Sequence, residues 1–244
     1  MTETLGIIAG TGALDLFEIL EERPVETRWG APSAVPARIC LAGQSAWLLA
    51  RHGRPHRIPP HRVDYRANIA ALAELGVTEI VAINAVGSIA RGLRPGDLVV
   101  PDQLIDYTSG RVQTFSDSPD EPLMHIEFAE PFSANVRQAL LTAGARAQIP
   151  VHDGGCYGVT QGPRLETTAE IARLAGDGCT LVGMTAMPEA ALAREAELEY
   201  ASLCVVANPG AGLTDEPISI DEIHSVLADA MDRVAALLAA MSGQ

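Results

Sequence analysis

The 244-residue sequence contains no lysine: all 17 of its basic residues are arginine. That absence excludes Schiff-base chemistry, lysine-bound pyridoxal phosphate and the phosphate-binding lysine of a Walker A loop, each of which needs an ammonium side chain. An anion held by this chain must therefore be held by arginine, backbone amides and hydroxyls. Cysteine is scarce, with residues only at 40, 156, 179 and 204 and no CxxC pair. The spacing fits neither a zinc knuckle nor a disulfide framework, and a reduced cytoplasmic setting is expected. No histidine-based activation of Cys156 is evident, so a structural thiol is expected there. Long apolar runs are missing too, since the longest, Val234 to Met241, has eight residues against the ~20 of a membrane helix. Acidic rather than basic residues precede the first apolar run, unlike a secretory signal. With 31 acidic residues the net charge is −14, which repels phosphate backbones. Neither a membrane nor a nucleic acid is an expected partner.

What is present is the composition of a folded protein: 48% hydrophobic and 20% charged residues, with 22 glycines and 16 prolines scattered along the chain. Leu5–Ala9 reads as a buried strand stopped by the turn Gly10-Thr11-Gly12. Pro36–Ala42 and Ser45–Ala50 read as strands around Gly43-Gln44. Tyr65–Leu75 has helical apolar spacing and closes at Gly76. Thr78–Ile83 is a β-branched strand running into Asn84-Ala85-Val86-Gly87-Ser88. Further strands are expected at Asp97–Ile105, Tyr157–Thr160, Thr180–Val182 and Leu203–Ala207, and helices at Ser133–Ala145, from Thr168, at Pro188–Tyr200 and at Ser219–Met241. The last of these opens with a capping-box pattern, Ser219 and Glu222. The alternation predicts an α/β fold, a mixed central sheet covered by helices, in one domain spanning 1–244.

Residues 51–66, RHGRPHRIPPHRVDYR, concentrate five of the arginines and three of the six histidines in an acidic chain. A solvated loop pairing with surface carboxylates would account for this. So would an anion site, because the planar guanidinium fork matches phosphate oxygens. A zinc site from His52 and His56 is disfavoured, as Gly53 and Pro55 prevent helical i, i+4 presentation. The Gly10-Thr11-Gly12 turn can bring amides and a hydroxyl to an anion. It departs from a dinucleotide fingerprint, because Asp15 stands where a small residue would open the helix.

Eight segments in order, GIIAGTG, RHGRPHRIPPHRVDYRANI, NAVGSI, PGDLVVPDQLIDYT, HIEFAEPF, TQGPRLETTAEI, VGMTAMPEAALAREAELEYASL and the following Asn208, resemble the trimeric purine nucleoside phosphorylase and methylthioadenosine phosphorylase family. The resemblance covers nearly the whole chain and implies a nucleoside phosphorylase-like fold. It also implies phosphate-dependent cleavage of a purine nucleoside without metal or organic cofactor, orthophosphate being a co-substrate. Carried over by motif, Thr11, Arg51, His52, Asn84 or the Ala85 backbone, and Thr185 form the phosphate cradle, supported by Arg54 and His56. His52, Thr185 and Asn208 are the candidate catalytic residues. Met184 packs on the ribose, and Leu165, Glu166 and Asn208 lie at the base.

The same resemblance carries the substrate expectation. Relatives that take 6-aminopurines have aspartates where this chain has Asn208 and Gly210. An amide can donate to N7 and accommodate O6, and Glu166 can accept the N1 proton of a 6-oxopurine; alternatively, Glu166 caps the following helix. Ile220, with Ile223 one turn on, stands where a histidine would bond a ribose 5′-hydroxyl, so an apolar 5′-methylthio group is expected. Together these point to S-methyl-5′-thioinosine. His224 near the same wall leaves inosine and guanosine open, with methylthioadenosine as a third substrate and a purine or phosphate sensor as the non-enzymatic alternative. His125 resembles a residue that reaches a neighbouring subunit's pocket, so a homotrimer is expected.

Overall fold

The computed structural model describes residues 4–11, 13, 16–119 and 123–241. Gly12 and Asp15, invoked above, lie outside them. Eleven strands form one mixed sheet: β1 (Leu5–Ala9), β2 (Ile19–Glu22), β3 (Ala37–Leu41), β4 (Gln44–Ala50), β5 (Glu79–Ser88), β6 (Leu98–Val100), β7 (Gln103–Asp106), β8 (Val151–Asp153), β9 (Cys156–Val159), β10 (Leu181–Gly183) and β11 (Glu199–Pro209). The helices are α1 (Tyr65–Glu74), α2 (Ala134–Ala147), α3 (Thr168–Gly176), α4 (Ala186–Glu195) and α5 (Ile220–Met241), with a short 3-10 turn at Pro60–Arg62.

Strand β5 is the axis of the sheet. It pairs in parallel with β1 over Glu79–Ala82, in parallel with β11 over its whole length, and antiparallel with β10 at Gly87 and Ser88. A strand covered on both faces is continuously apolar, and the alternation of β11 shows why. Tyr200, Cys204 and Val206 face one core cluster, which α1 and α4 cover; Ala201, Leu203, Val205 and Ala207 face the other, which α2 and α5 cover. Each fully buried aliphatic side chain contributes about 1.5–3 kcal/mol. The two clusters are thus what fixes α1, α2, α4 and α5 on the sheet, while α3 packs Ile171 and Leu174 against Val182 in a third. Local signals agree with the packing. Asp64 accepts from the Ala67 amide at 3.0 Å at the start of α1, Gly76 takes φ +79° just after its end, and Ser133 caps α2.

The strands expected at Thr78–Ile83 and Leu203–Ala207 are longer, Glu79–Ser88 and Glu199–Pro209, and two expected elements differ in kind. The single strand expected at Asp97–Ile105 is two strands in two ladders, because Pro101 has no N–H to continue the first. Asp102 and Gly155 then bond reciprocally, at 3.2 Å and 2.7 Å, and carry the chain onto β9. The helix expected from Pro188 to Tyr200 begins at Ala186 and ends at Glu195; Glu197 turns at φ +57° and Tyr200 belongs to β11. The Ala- and Glu-rich stretch has helical propensity, but pairing with β5 overrides it.

Candidate active site

The strands deliver their ends to one place, the usual location for ligands in an open α/β sheet. Gly10 and Thr11 follow β1, Arg51 and His52 follow β4, Met184 and Thr185 follow β10, and Ala85, Val86 and Gly87 lie late in β5. With Asn208 near the end of β11 these residues line a cavity of about 820 Å³. Glu166, Leu165 and Pro163 line it from the segment before α3, and Ile218, Ile220, Ile223 and His224 from the start of α5.

Backbone approach shapes the wall. A Cβ on Gly10 would stand 2.5 Å from the Ile83 carbonyl oxygen and 3.0 Å from Arg51 Nη1. One on Gly183 would collide with the Tyr157 hydroxyl, and one on Gly162 with Met184 Sδ. Gly10 is therefore required by space against a backbone carbonyl, Gly183 by a buried ring, and Gly162 by its φ of +60°.

Arg51 is 1% exposed. Its Nε and Nη2 each donate to Glu189 at 2.8 Å, and Nη1 donates to the Ile83 carbonyl at 3.1 Å. Of the five N–H groups of a guanidinium, two remain without an acceptor among the described residues. Tyr200 Oη completes the cluster by donating to Glu189 Oε1 at 2.8 Å. Burial alone would lower the Arg51 pKa, but Glu189 outweighs it and holds the guanidinium firmly charged. The arginine-rich loop is thus divided, with Arg51 and His52 buried and Arg54 at the rim, 3.8 Å from Glu22.

His52 Nδ1 lies 2.8 Å from the Ile58 carbonyl oxygen, which makes Nδ1 the donor and leaves Nε2 with a lone pair when the ring is neutral. Burial first, then the neighbouring Arg51 charge, push its pKa down to about 3. His56 stacks on His52 with centroids 4.5 Å apart, and its pKa is lowered by burial, His224 and Arg51. Among the described residues no His, Cys, Asp and Glu cluster has the arrangement of a metal site.

Thr185 precedes α4 but makes no side-chain cap bond. Its Oγ1 instead accepts from Asn84 Nδ2 at 2.8 Å, leaving the hydroxyl proton free to be donated. Asn84 itself is 1% exposed and stands behind the cavity lining, which Ala85 joins directly. Asn208 Nδ2 donates to the Pro209 carbonyl at 2.7 Å, using one of its two donors. Glu166 Oε1 accepts from Thr160 Oγ1 at 2.6 Å. Glu166 does not cap the following helix: Thr167 and Glu170 form the capping box of α3. His125 is exposed and is not part of its own chain's cavity.

Two residues escaped the sequence reading. Glu189 is the only carboxylate in the buried stretch from Ala186 to Ala193, and an acid in so apolar a helix needs a partner, which is the signal that was available. Arg111, in an irregular loop, clasps the cavity from outside by donating to the carbonyls of Met184 and Gln161 at 2.8 Å and of Met187 at 2.6 Å. Cys156 has its thiol pKa pushed up to about 12 by burial and by Cys179, which disfavours the reactive thiolate.

A phosphorylase superfamily model matches residues 4–242. The chain belongs to that superfamily. It is 51% identical over 231 residues to the "Probable S-methyl-5′-thioinosine phosphorylase" of Xylella fastidiosa (strain 9a5c), covering 93% of this chain and 97% of that one. It is 40% identical over 243 residues to the 6-oxopurine nucleoside phosphorylase of Pyrococcus furiosus, covering 97% and 91% of the two chains. Its fold superposes on methylthioadenosine phosphorylase from Schistosoma mansoni, solved with adenine, at a TM-score of 0.93 and 35% identity, with coverage of 98% and 91%. Within this phosphorylase no described helix is long and apolar enough to cross a membrane.

Proposed function

We propose that this phosphorylase, a single domain over 1–244, uses orthophosphate to cleave S-methyl-5′-thioinosine, giving hypoxanthine and 5-methylthioribose 1-phosphate. The observation that carries the reading is the lining of one cavity by Arg51, Thr185, Asn208 and the Ile218, Ile220 and Ile223 wall. Thr11, Arg51, His52, Thr185 and the Ala85 backbone hold phosphate as donors and acceptors, and Asn84 orients Thr185. Met184 packs on the sugar, and an adaptable thioether suits that face. Cleavage passes through an oxocarbenium-like state, with positive charge on the sugar and negative charge on the departing base. The phosphate dianion stabilises the former. Asn208, with one donor still free, stabilises the latter at N7, where charge develops. Glu166 accepts N1–H of the 6-oxopurine and Leu165 covers the base. No cofactor takes part, and the products form by transfer of the ribosyl group to phosphate.

His224 lines the same cavity and lies close to His56, which supports inosine as the second reading. Incubating S-methyl-5′-thioinosine, inosine, guanosine and methylthioadenosine with and without phosphate, and measuring free base, tests both. The expected result is phosphate-dependent release, fastest from S-methyl-5′-thioinosine. Preference for inosine would transfer the 5′ contact to His224, and release without phosphate would overturn phosphorolysis. His125 completes a neighbouring pocket in this reading, so the protein sediments as a cytoplasmic homotrimer of about 77 kDa, three times the 25.7 kDa chain. A fully active monomer contradicts it.

A further inference from the structure

Glu189 is 0% exposed, accepts on both carboxylate oxygens from Arg51 and also accepts from Tyr200 Oη. It does not line the cavity; Arg51 stands between. Three donors converge on this carboxylate, two of them from the guanidinium, so the Arg51 cation has its counter-charge behind it at contact distance. The other inward-facing groups add little. His52 is kept neutral by burial and by the Arg51 charge, Thr11 and Thr185 are hydroxyls, and Arg54 is a rim residue paired with Glu22.

We propose that Glu189 is a positioning residue that sets the net charge of the phosphate cradle to zero, so that the bound dianion keeps its charge for the sugar cation. The inference rests on the assignment of Arg51 to phosphate. The physical reason is differential binding. A cradle with a bare buried cation would hold the ground-state dianion tightly, and it would also repel the positive charge that grows on the ribose. Only interactions stronger in the transition state than in the ground state raise kcat. Oriented donors without net charge hold the nucleophile and leave its field directed at the sugar. The carboxylate also grips the guanidinium side-on through Nε and Nη2, which fixes the direction of the two unused N–H groups.

The test is Glu189→Gln, which removes the charge at nearly constant volume. With Arg51 uncompensated, the phosphate KM should fall and kcat should also fall, each on the order of tenfold, while the nucleoside KM stays unchanged. A merely structural carboxylate would not split the parameters this way. A phosphate KM that rises means that Glu189 only aims Arg51, and overturns the charge role; equal loss against both substrates overturns it as well. Because the variant buries an unpaired cation, its melting temperature should be low without phosphate and should climb with phosphate more steeply than that of the wild type. A variant that stays unfolded in phosphate would show that the dianion does not replace the carboxylate, against the proposal. Arg51→Ala separates this from the assignment beneath it. If its phosphate dependence is unaltered, the cradle lies elsewhere. If its phosphate KM rises but Glu189→Gln fails to lower it, only the role of Glu189 is lost.

Discussion

Asn84 Nδ2 donates to Thr185 Oγ1 at 2.8 Å from behind the cavity wall, so the threonine hydroxyl receives one hydrogen bond from the protein and has its own proton left to give. A hydroxyl that is already an acceptor is pre-set as a donor, and phosphate oxygens are acceptors at every protonation state. Thr185→Val should therefore raise the phosphate KM by about tenfold, the loss of one charge-assisted bond, with little effect on the nucleoside KM. Steady-state kinetics with phosphate varied at saturating nucleoside checks this. Asn84→Ala should act in the same direction and more weakly, since it loosens the hydroxyl without removing it.

Base preference is expected to resist conversion. Asn208→Asp should weaken turnover of 6-oxopurines, because a carboxylate facing O6 is repulsive unless protonated. It should not create good 6-aminopurine activity, even with an acid added at 210. A Cβ on Gly210 would lie 3.2 Å from Ile171 Cδ1, from Ile171 Cγ2 and from the Ser88 carbonyl oxygen, so a second carboxylate has no ready space. Base release from paired 6-oxo and 6-amino nucleosides by both variants measures this, and efficient adenine release by Asn208→Asp alone would refute it.

Ile220 lines the cavity and is 57% exposed, and in the proposed reading its apolar wall leaves a 5′-hydroxyl unpaired. Ile220→His should shift the ratio of kcat/KM values from S-methyl-5′-thioinosine towards inosine by roughly 5- to 150-fold, the equivalent of ~1–3 kcal/mol. An unchanged ratio would remove Ile220 from the 5′ contact.

The buried histidine gives a prediction in pH. His52 titrates near 6.5 when unfolded but at about 3 in the folded chain. A depressed folded pKa means that the unfolded state binds the extra proton first. Its stabilising contribution is therefore intact above about pH 6.5 and is lost progressively as pH falls towards 3. His56, shifted in the same direction, adds to the trend. Melting temperatures should decline from pH 7 to pH 5, and His52→Gln should flatten that decline; an equally steep profile in the variant would assign it to other groups. Over the same range His52 should put no inflexion in the rate profile, since it is already neutral.

The strand and helix rhythm was legible because burial writes itself into periodicity, as in the alternation of β11 between two cores. Most boundaries fell within a residue or two, as for Tyr65–Glu74 and Ala134–Ala147. What misled was local propensity set against distant pairing. The stretch from Ala196 to Tyr200 looks helical in isolation, but the helix stops before it and Glu199 and Tyr200 become strand because β5 offers them a ladder. Strands β2 and β8 were missed for a related reason: they are short and mostly exposed, and carry no apolar signature. Motif order anticipated most of the residues that line one cavity, whereas His125 lies outside it and Asn84, one of the two alternatives offered for the cradle beside the Ala85 backbone, stands behind the lining with its amide on Thr185. Glu189 went unread because its function depends on a partner 138 positions away, a separation that no local pattern encodes.

The glycines of the wall have an evolutionary consequence. Gly10, Gly162 and Gly183 leave no volume for even a methyl group, because a carbonyl, a thioether and a phenol already occupy it. Single substitutions at these positions must first displace the Ile83 backbone, the Met184 side chain or the Tyr157 ring, and selection for a new substrate would meet a barrier there. Asn208, Leu165 and Ile220 carry side chains that line the opening and can be exchanged without moving the strands that support them. Divergence of such a pocket is expected to run through those few replaceable positions while its rigid frame persists.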